Sequence, residues 1–264
     1  MVDSTPPKGP PEGGAEIEVV TSAFQIIRSR VTTLLGAVGI FLVAGFGLAL
    51  IGTLGFAELA EHVSAGATQA FDERVLIWLS GQRNPLTDSA MLELTALGTA
   101  SVVLMVSGVA SLFLALNKHK YSALLLVVAT LGGLALNMVL KIGFHRPRPE
   151  VVVWGAKAFS SSFPSGHAMS AAIVYSTVAY LAARLQKQLW SKVLTMLAAL
   201  AMIVLICLSR LYLGVHYPSD VAAGVTIGLA WAGFCMATLE GIQRFARRGD
   251  HGVERTATEA DKKV

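Results

Sequence analysis

Three short stretches of this 264-residue chain concentrate groups able to do chemistry on an anion. "KIGFHRPRP", residues 141–149, brings Lys141 and Arg148 together with His145 and Arg146. "SSSFPSGH", residues 160–167, ends in Pro164-Ser165-Gly166-His167, which reads as a helix start. Ser is a good N-cap, Gly lets backbone approach a ligand closely, and free N–H groups at a helix N-terminus bind anions. "SRLYLGVHYPSD", residues 209–220, supplies Arg210, His216 and Asp220. Guanidinium groups suit a bidentate grip on phosphate oxygens. Asp220 lies four residues after His216 and could accept a hydrogen bond from one imidazole nitrogen, which would leave the other nucleophilic. His167 is then a second imidazole, available as general acid for a leaving oxygen.

The rest of the chain must hold these groups, and it is built for a bilayer. It is 54% hydrophobic and only 14% charged, with a mean hydropathy of +0.61. Water-soluble domains carry about a quarter charged residues. The sequence pI of about 9.2 could suggest nucleic acid as a partner. The cations, however, fall in short groups between apolar runs, a membrane pattern. Uncharged stretches run from Val31 to Ala57, Leu94 to Asn117, Tyr121 to Leu140, Ala168 to Ala183, Val193 to Ser209 and Val221 to Leu239. A spanning helix needs about 20 residues, so the expected fold is all-α, a polytopic membrane protein with six transmembrane helices. The short fourth and fifth runs borrow flanking residues. Cys207 and Cys235 lie inside apolar runs and read as small core residues. Gly224 and Gly228 have the small-xxx-small spacing of close helix packing.

Connecting segments give the orientation. Arg28 and Arg30, Lys118 and Lys120, Arg184, Lys187 and Lys192, and Arg244, Arg247 and Arg248 all fall on one side. The link between spans one and two is mostly acidic, with Glu58, Glu61, Asp72, Glu73, Asp88 and Glu93 against Arg74 and Arg83. Both termini are therefore expected to be cytoplasmic. A cytoplasmic tail over residues 1–30, Pro- and Gly-rich at its start and expected to be disordered, through about residue 14 in particular, precedes a six-span membrane domain over 31–243. A cytoplasmic tail follows over 244–264, polar and frayed after Arg248. The first apolar run starts too far in for a cleavable signal peptide. The segment 56–93 mixes charges with Phe71, Val75, Leu76 and Trp78, and predicts one or two helices on the outer surface.

With that topology the ends of spans three and five and the starts of spans four and six meet on the outer side. All three chemical blocks lie there. Lys141, Arg146, Arg148 and Lys157 thus sit against the charge rule, and charge at a span's edge marks function by default.

The blocks resemble those of the type 2 phosphatidic acid phosphatase family, lipid phosphatases related to vanadium haloperoxidases. That family carries K-x6-R-P, P-S-G-H and S-R-x5-H-x3-D. Here they stand as Lys141…Arg148-Pro149, Pro164-Ser165-Gly166-His167 and Ser209-Arg210…His216…Asp220, in the family's order and spacing. The resemblance implies a metal-independent phosphatase with no cofactor, working through a phosphohistidine. His216 would attack phosphorus, Asp220 would orient it, and His167 would protonate the leaving group. Lys141, Arg148, Arg210, the Ser165 hydroxyl and the Gly166 amide would hold the equatorial oxygens. It also implies a lipid phosphate or diphosphate as substrate, cleaved at the outer, periplasmic face of a bacterial cytoplasmic membrane. Undecaprenyl diphosphate and phosphatidylglycerophosphate lead, with lipid A phosphate and phosphatidate open. The bilayer and its lipid are the partners implied, and no oligomeric state is indicated.

Other readings compete. Lys141 and Arg148 could be interfacial anchors. His145 and Arg146 lie outside the motif and divide evenly between anion contact and plain loop. Tyr212 and Tyr217 read as an interfacial aromatic belt, and Ser160–Ser162 as solvated loop. A zinc site from His145, His167, His216 and Asp220 fits badly among so many cations. A serine hydrolase on Ser165 lacks the G-x-S-x-G elbow. A lipid-binding or transport protein without catalysis is the rival of another class, but transport sites gather at the midplane rather than at one face.

Overall fold

Backbone N–H and C=O groups in hydrocarbon must pair within their own segment, so the apolar runs of this chain cross only as helices. The computed structural model describes Val43 and residues 45–157 and 160–261, with side chains through Gln243. Among these residues every regular element is helical. In chain order they are α1 (Gly45–Ser64), α2 (Gln69–Ser80), α3 (Pro85–Ala96), α4 (Ala100–Leu116), α5 (Lys120–Gly143), α6 (Gly166–Leu185), α7 (Leu189–Tyr212) and α8 (Pro218–Asp261). Residues 41–240 form one compact unit. Beyond that unit, α8 is described as helix as far as Asp261.

Among the described residues five helices are individually long and apolar enough to span a bilayer: α1, α5, α6, α7 and the Pro218–Gln243 part of α8. The expected second span is not one straight helix. α4 has 17 residues and reaches a full span only together with α3, from which it is bent by 50°. Leu97-Gly98-Thr99 separate the two. Gly weakens a helix interior, and Thr99 starts the next helix as N-cap, with its Oγ1 accepting from Val102 N at 3.4 Å. α3 opens on a capping box at Asn84, whose Oδ1 accepts from Leu86 N and Thr87 N at 3.1 and 3.0 Å.

The segment 56–93, expected to hold one or two outer-surface helices, contains α2 and most of α3, of which α3 pairs with α4 in the bent second span, and α1 runs on to Ser64 rather than stopping at Ala57. The beginning of the first apolar run and the tail over 1–30 lie outside the described residues. The tail after Arg248, expected to fray, continues as helix to Asp261.

α6 is the central element, packed against α4, α5 and α7. α8 lies close on it through the two glycines singled out in the sequence. A Cβ at Gly224 would stand 2.6 Å from Ser165 O, and one at Gly228 would stand 2.9 Å from Met169 O. The buried core includes Val103, Leu126, Phe163, Met169 and Ile173. Leu112, Phe113, Leu124, Leu131, Leu197 and Leu200 point outward instead. A surface that apolar suits lipid, not water. Several polar groups within the spans are paired, as Ser107 with Thr130 at 2.8 Å and Trp231 Nε1 donating to Ala129 O at 2.9 Å. Both cysteines are free, Cys235 buried and Cys207 half-buried.

Candidate active site

Helix direction carries the chemical blocks to one end of the bundle. Lys141 sits in the last turn of α5 and Arg210 in the last turn of α7. Ser165 is the N-cap of α6, Gly166 and His167 open that helix, and Asp220 lies in the first turn of α8. Arg148 belongs to the connection after α5, and His216 to the short link between α7 and α8.

Each cation is aimed by backbone or hydroxyl oxygens. Lys141 Nζ donates to Ser160 Oγ at 3.1 Å and Ser161 O at 2.7 Å. Arg148 donates from Nε to Ser160 O at 2.9 Å and from Nη1 to Val215 O at 2.6 Å. Its Nη1 also stands 3.4 Å from His216 Nε2. Burial pulls the Arg148 guanidinium below its usual value, but a guanidinium remains a cation in proteins. Arg210 is buried, and its Nη1 donates to Thr95 Oγ1 at 2.7 Å.

His216 and Asp220 are buried. His216 Nδ1 lies 3.5 Å from Asp220 Oδ2. That is ion-pair range rather than the expected hydrogen bond, and Nδ1 has no hydrogen-bond partner within the protein. The carboxylate is occupied elsewhere. Its Oδ2 accepts from Ser162 Oγ and from Tyr217 N at 2.8 Å, and its Oδ1 accepts from Arg146 Nη1 at 2.6 Å. Burial pushes the His216 imidazole down to about 4, because the charged form loses hydration that the neighbouring Asp220 only partly replaces; Arg210 and Arg148 push it in the same direction. The ring is therefore neutral at neutral pH, as a nitrogen nucleophile must be.

Ser165 does sit at an N-cap, but its hydroxyl makes no capping bond. Four of the six buried side-chain polar atoms without a partner among the described residues belong to this region: Ser165 Oγ, Arg210 Nε, His216 Nδ1 and Asn137 Oδ1. Buried polar atoms are nearly always bonded, so a cluster of such atoms is where an oxygen-rich ligand would complete the network. Among the described residues no group of three or more His, Cys, Asp or Glu side chains converges as a metal site would.

Several expectations change. Ser160–Ser162 are not simply solvated loop: Ser160 and Ser161 accept from the cations, and Ser162 is fully buried on Asp220. Tyr212 and Tyr217 are buried, not an aromatic belt. Tyr212 OH bonds Thr87 Oγ1 and accepts from Asn84 N at 3.3 Å, tying α7 to α3. His145 is exposed and lines an adjoining cleft, whereas Arg146 is engaged with carboxylates.

Three contributors went unread in the sequence. Thr95 and Gly98 come from the α3–α4 bend: Thr95 holds Arg210, and a Cβ at Gly98 would stand 3.3 Å from the His167 ring and 2.7 Å from Ile206 Cγ2. Asn137 lies one helical turn before Lys141, with its amide against Gly166. A polar residue inside an apolar run was the available signal for Asn137. Nothing local marks Thr95 or Gly98.

Residues 122–244 match the family model described as the PAP2 superfamily. The chain is 32% identical over 194 residues to phosphatidylglycerophosphatase B of Bacillus subtilis (strain 168), covering 73% of this chain and 95% of that protein. Among solved structures, it resembles the transmembrane PAP2 type phosphatidylglycerolphosphate phosphatase from Bacillus subtilis with a TM-score of 0.69 at 30% identity, over 75% of this chain and 98% of the other. The Aquifex aeolicus LpxE structure shares the fold, with a TM-score of 0.51 at 21% identity over 66% of this chain and 95% of the other.

Proposed function

The chain belongs to the PAP2 superfamily of lipid phosphatases, and on that premise we propose that it hydrolyses a membrane lipid phosphate through a phosphohistidine on His216, with phosphatidylglycerophosphate as the leading substrate. The observation that carries the reading is the division of the His216 ring, with Nδ1 facing Asp220 at 3.5 Å and Nε2 facing Arg148 at 3.4 Å. One nitrogen lies where developing positive charge is stabilised, the other where phosphate oxygens would be gripped.

In the first step the Nε2 lone pair forms a bond to phosphorus while the phosphorus–oxygen bond to the lipid breaks. His167 delivers its proton to the departing oxygen. In the second, His167 takes a proton from water, whose oxygen bonds phosphorus as the N–P bond breaks. Inorganic phosphate leaves and His216 is regenerated. Lys141, Arg148 and Arg210 hold the equatorial oxygens, with the Ser165 hydroxyl and Gly166 amide completing the cradle. Phosphoryl transfer asks mainly for positioning and charge stabilisation, which three fixed cations supply without a metal.

The relative's name supports phosphatidylglycerophosphate over undecaprenyl diphosphate, lipid A phosphate and phosphatidate. The cationic groups that cap the other ends of the spans support a site at the outer, periplasmic face of the cytoplasmic membrane. The test is phosphate release in detergent with chelator present, as kcat/KM over those four lipids. A preference for phosphatidylglycerophosphate, lost in His216→Ala, is expected. Release that needs a divalent metal, or that survives His216→Ala, overturns the mechanism, and a flat profile overturns the substrate assignment.

A further inference from the structure

Asp72 counts in the sequence as one of many acids in an outer segment, yet it is fully buried on α2. Ser219 N donates to it at 3.0 Å and Ser219 Oγ at 2.5 Å, so it closes the first turn of α8. Arg146 Nη2 donates to it at 2.9 Å. From the same guanidinium, Nη1 reaches Asp220 Oδ1 at 2.6 Å and Ser219 Oγ at 2.7 Å. Gln69 Oε1 accepts from Nη2 at 3.2 Å, and the Tyr217 ring lies 4.1 Å beneath the guanidinium carbon. A continuous chain of charge therefore runs from α2 to the reacting imidazole: Asp72, Arg146, Asp220, His216.

Buried ion pairs are poor stabilisers, because desolvation offsets their attraction. A triad of this kind beside a nucleophile is better explained by what it does to the neighbouring carboxylate. We propose that Asp72 and Arg146 are positioning residues that fix the Asp220 carboxylate and set how much of its negative charge His216 feels. Arg146 alone would neutralise Asp220. Asp72 shares Arg146, so the triad keeps one net negative charge, and the imidazole can become cationic against it as the N–P bond forms.

Other charged and titratable groups face the pair and must be counted. Arg148, Arg210 and Lys141 lie on the phosphate side, His167 opposes from α6, and Glu73 reaches the network through Gln69 at 2.6 Å. None of them bonds both carboxylates as Arg146 does. The outer helix α2 is thus part of the machinery, although it bears no motif residue.

The inference rests on His216 as the nucleophile, and its test separates the two ideas. Asp72→Asn, Arg146→Gln, Arg146→Lys and the double variant Asp72→Asn/Arg146→Gln are purified in detergent beside the wild type. The pH profile of kcat/KM is measured for one phosphomonoester, so substrate ionisation is common to all. Asp72→Asn removes negative charge and should move the acid limb down by about one pH unit, whereas Arg146→Gln should move it up by about as much. The double variant restores the charge balance and should return the limb towards the wild type. Arg146→Lys keeps the charge but one ammonium cannot bridge two carboxylates, so its limb should stay in place while kcat falls about tenfold.

Shifts of one sign in both single variants, or none, overturn the proposal. Where Asp72→Asn yields no folded protein, the contrast between the Gln and Lys variants at Arg146 decides it in the same way. Failure of all four to fold assigns the network to folding alone and also overturns it. Acid-quench trapping of a phosphohistidine in the wild type is scored separately. Its absence counts against His216 as nucleophile, whereas a trapped intermediate without the opposed shifts counts against the network.

Discussion

Arg148 Nη1 stands 3.4 Å from His216 Nε2, and its Nε and Nη1 are already committed to Ser160 O and Val215 O. The guanidinium is therefore fixed before a substrate arrives, and no side-chain freedom need be lost to bring a phosphate oxygen beside the nitrogen proposed to attack. Fixed donors of this kind are worth more than mobile ones in transition-state stabilisation.

Arg148→Lys tests that fixation, because it keeps the charge and removes the fork. We expect kcat/KM to fall about 100-fold, the lower end for loss of one preorganised donor. The midpoint of thermal unfolding in detergent should move little. Steady-state phosphate release measures the first and a melting curve the second. Wild-type activity in this variant would remove Arg148 from the cradle.

The buried imidazole of His216 predicts an acid-sensitive fold. Its folded value is about 4 against an ordinary 6.5, so below 6.5 the unfolded chain binds a proton that the folded chain refuses. Stability is then complete above pH 6.5 and declines as pH falls towards 4. Melting temperature in detergent, followed from pH 7.5 to 4, should drop for the wild type and drop less for His216→Asn, which has no proton to take up. Parallel curves for the two proteins would contradict the assignment.

The proposed phosphate cradle was legible because its cations and imidazoles sit in three uninterrupted stretches at the ends of spans, where hydropathy and charge disagree. Lys141, Arg148, Arg210, His216 and Asp220 needed only helix direction to meet. What escaped the sequence depends on contacts between distant segments. Asp72 looks like any outer acid until α2 folds over Ser219 and Arg146. Thr95 is one polar residue at the start of the second apolar run, and only the 50° bend after α3 brings it to Arg210. A hydropathy window averages across Leu97-Gly98-Thr99, so the bend itself could not register as a break in the second span.

That bend leads to a further prediction. Thr95 Oγ1 is the acceptor for Arg210 Nη1 at 2.7 Å, in a buried setting. Thr95→Val keeps the shape and strands a charged donor, which costs about 1–3 kcal/mol where no water can substitute. Arg210 should then swing off its line. Inorganic phosphate should inhibit the variant about tenfold more weakly, a factor of ten being about 1.4 kcal/mol. An unchanged inhibition constant would show that Arg210 is held by other contacts.

Gly166 offers the sharpest steric test, since a Cβ there would stand 2.6 Å from Asn137 Nδ2. Gly166 is the first residue of α6 and its φ is not positive, so alanine meets no backbone strain there. Gly166→Ala should therefore fold, with Asn137 turned aside and the methyl group facing the anion-binding end of the helix. Expected are a fall in kcat/KM of about 100-fold, from a misplaced phosphate, and a melting temperature equal to or above that of the wild type. Adding Asn137→Ala to Gly166→Ala separates the two causes. If crowding of Asn137 alone is responsible, the double variant regains the activity of Asn137→Ala by itself. If the methyl group blocks the phosphate, the loss persists, and phosphate inhibition measured on the same protein weakens in step.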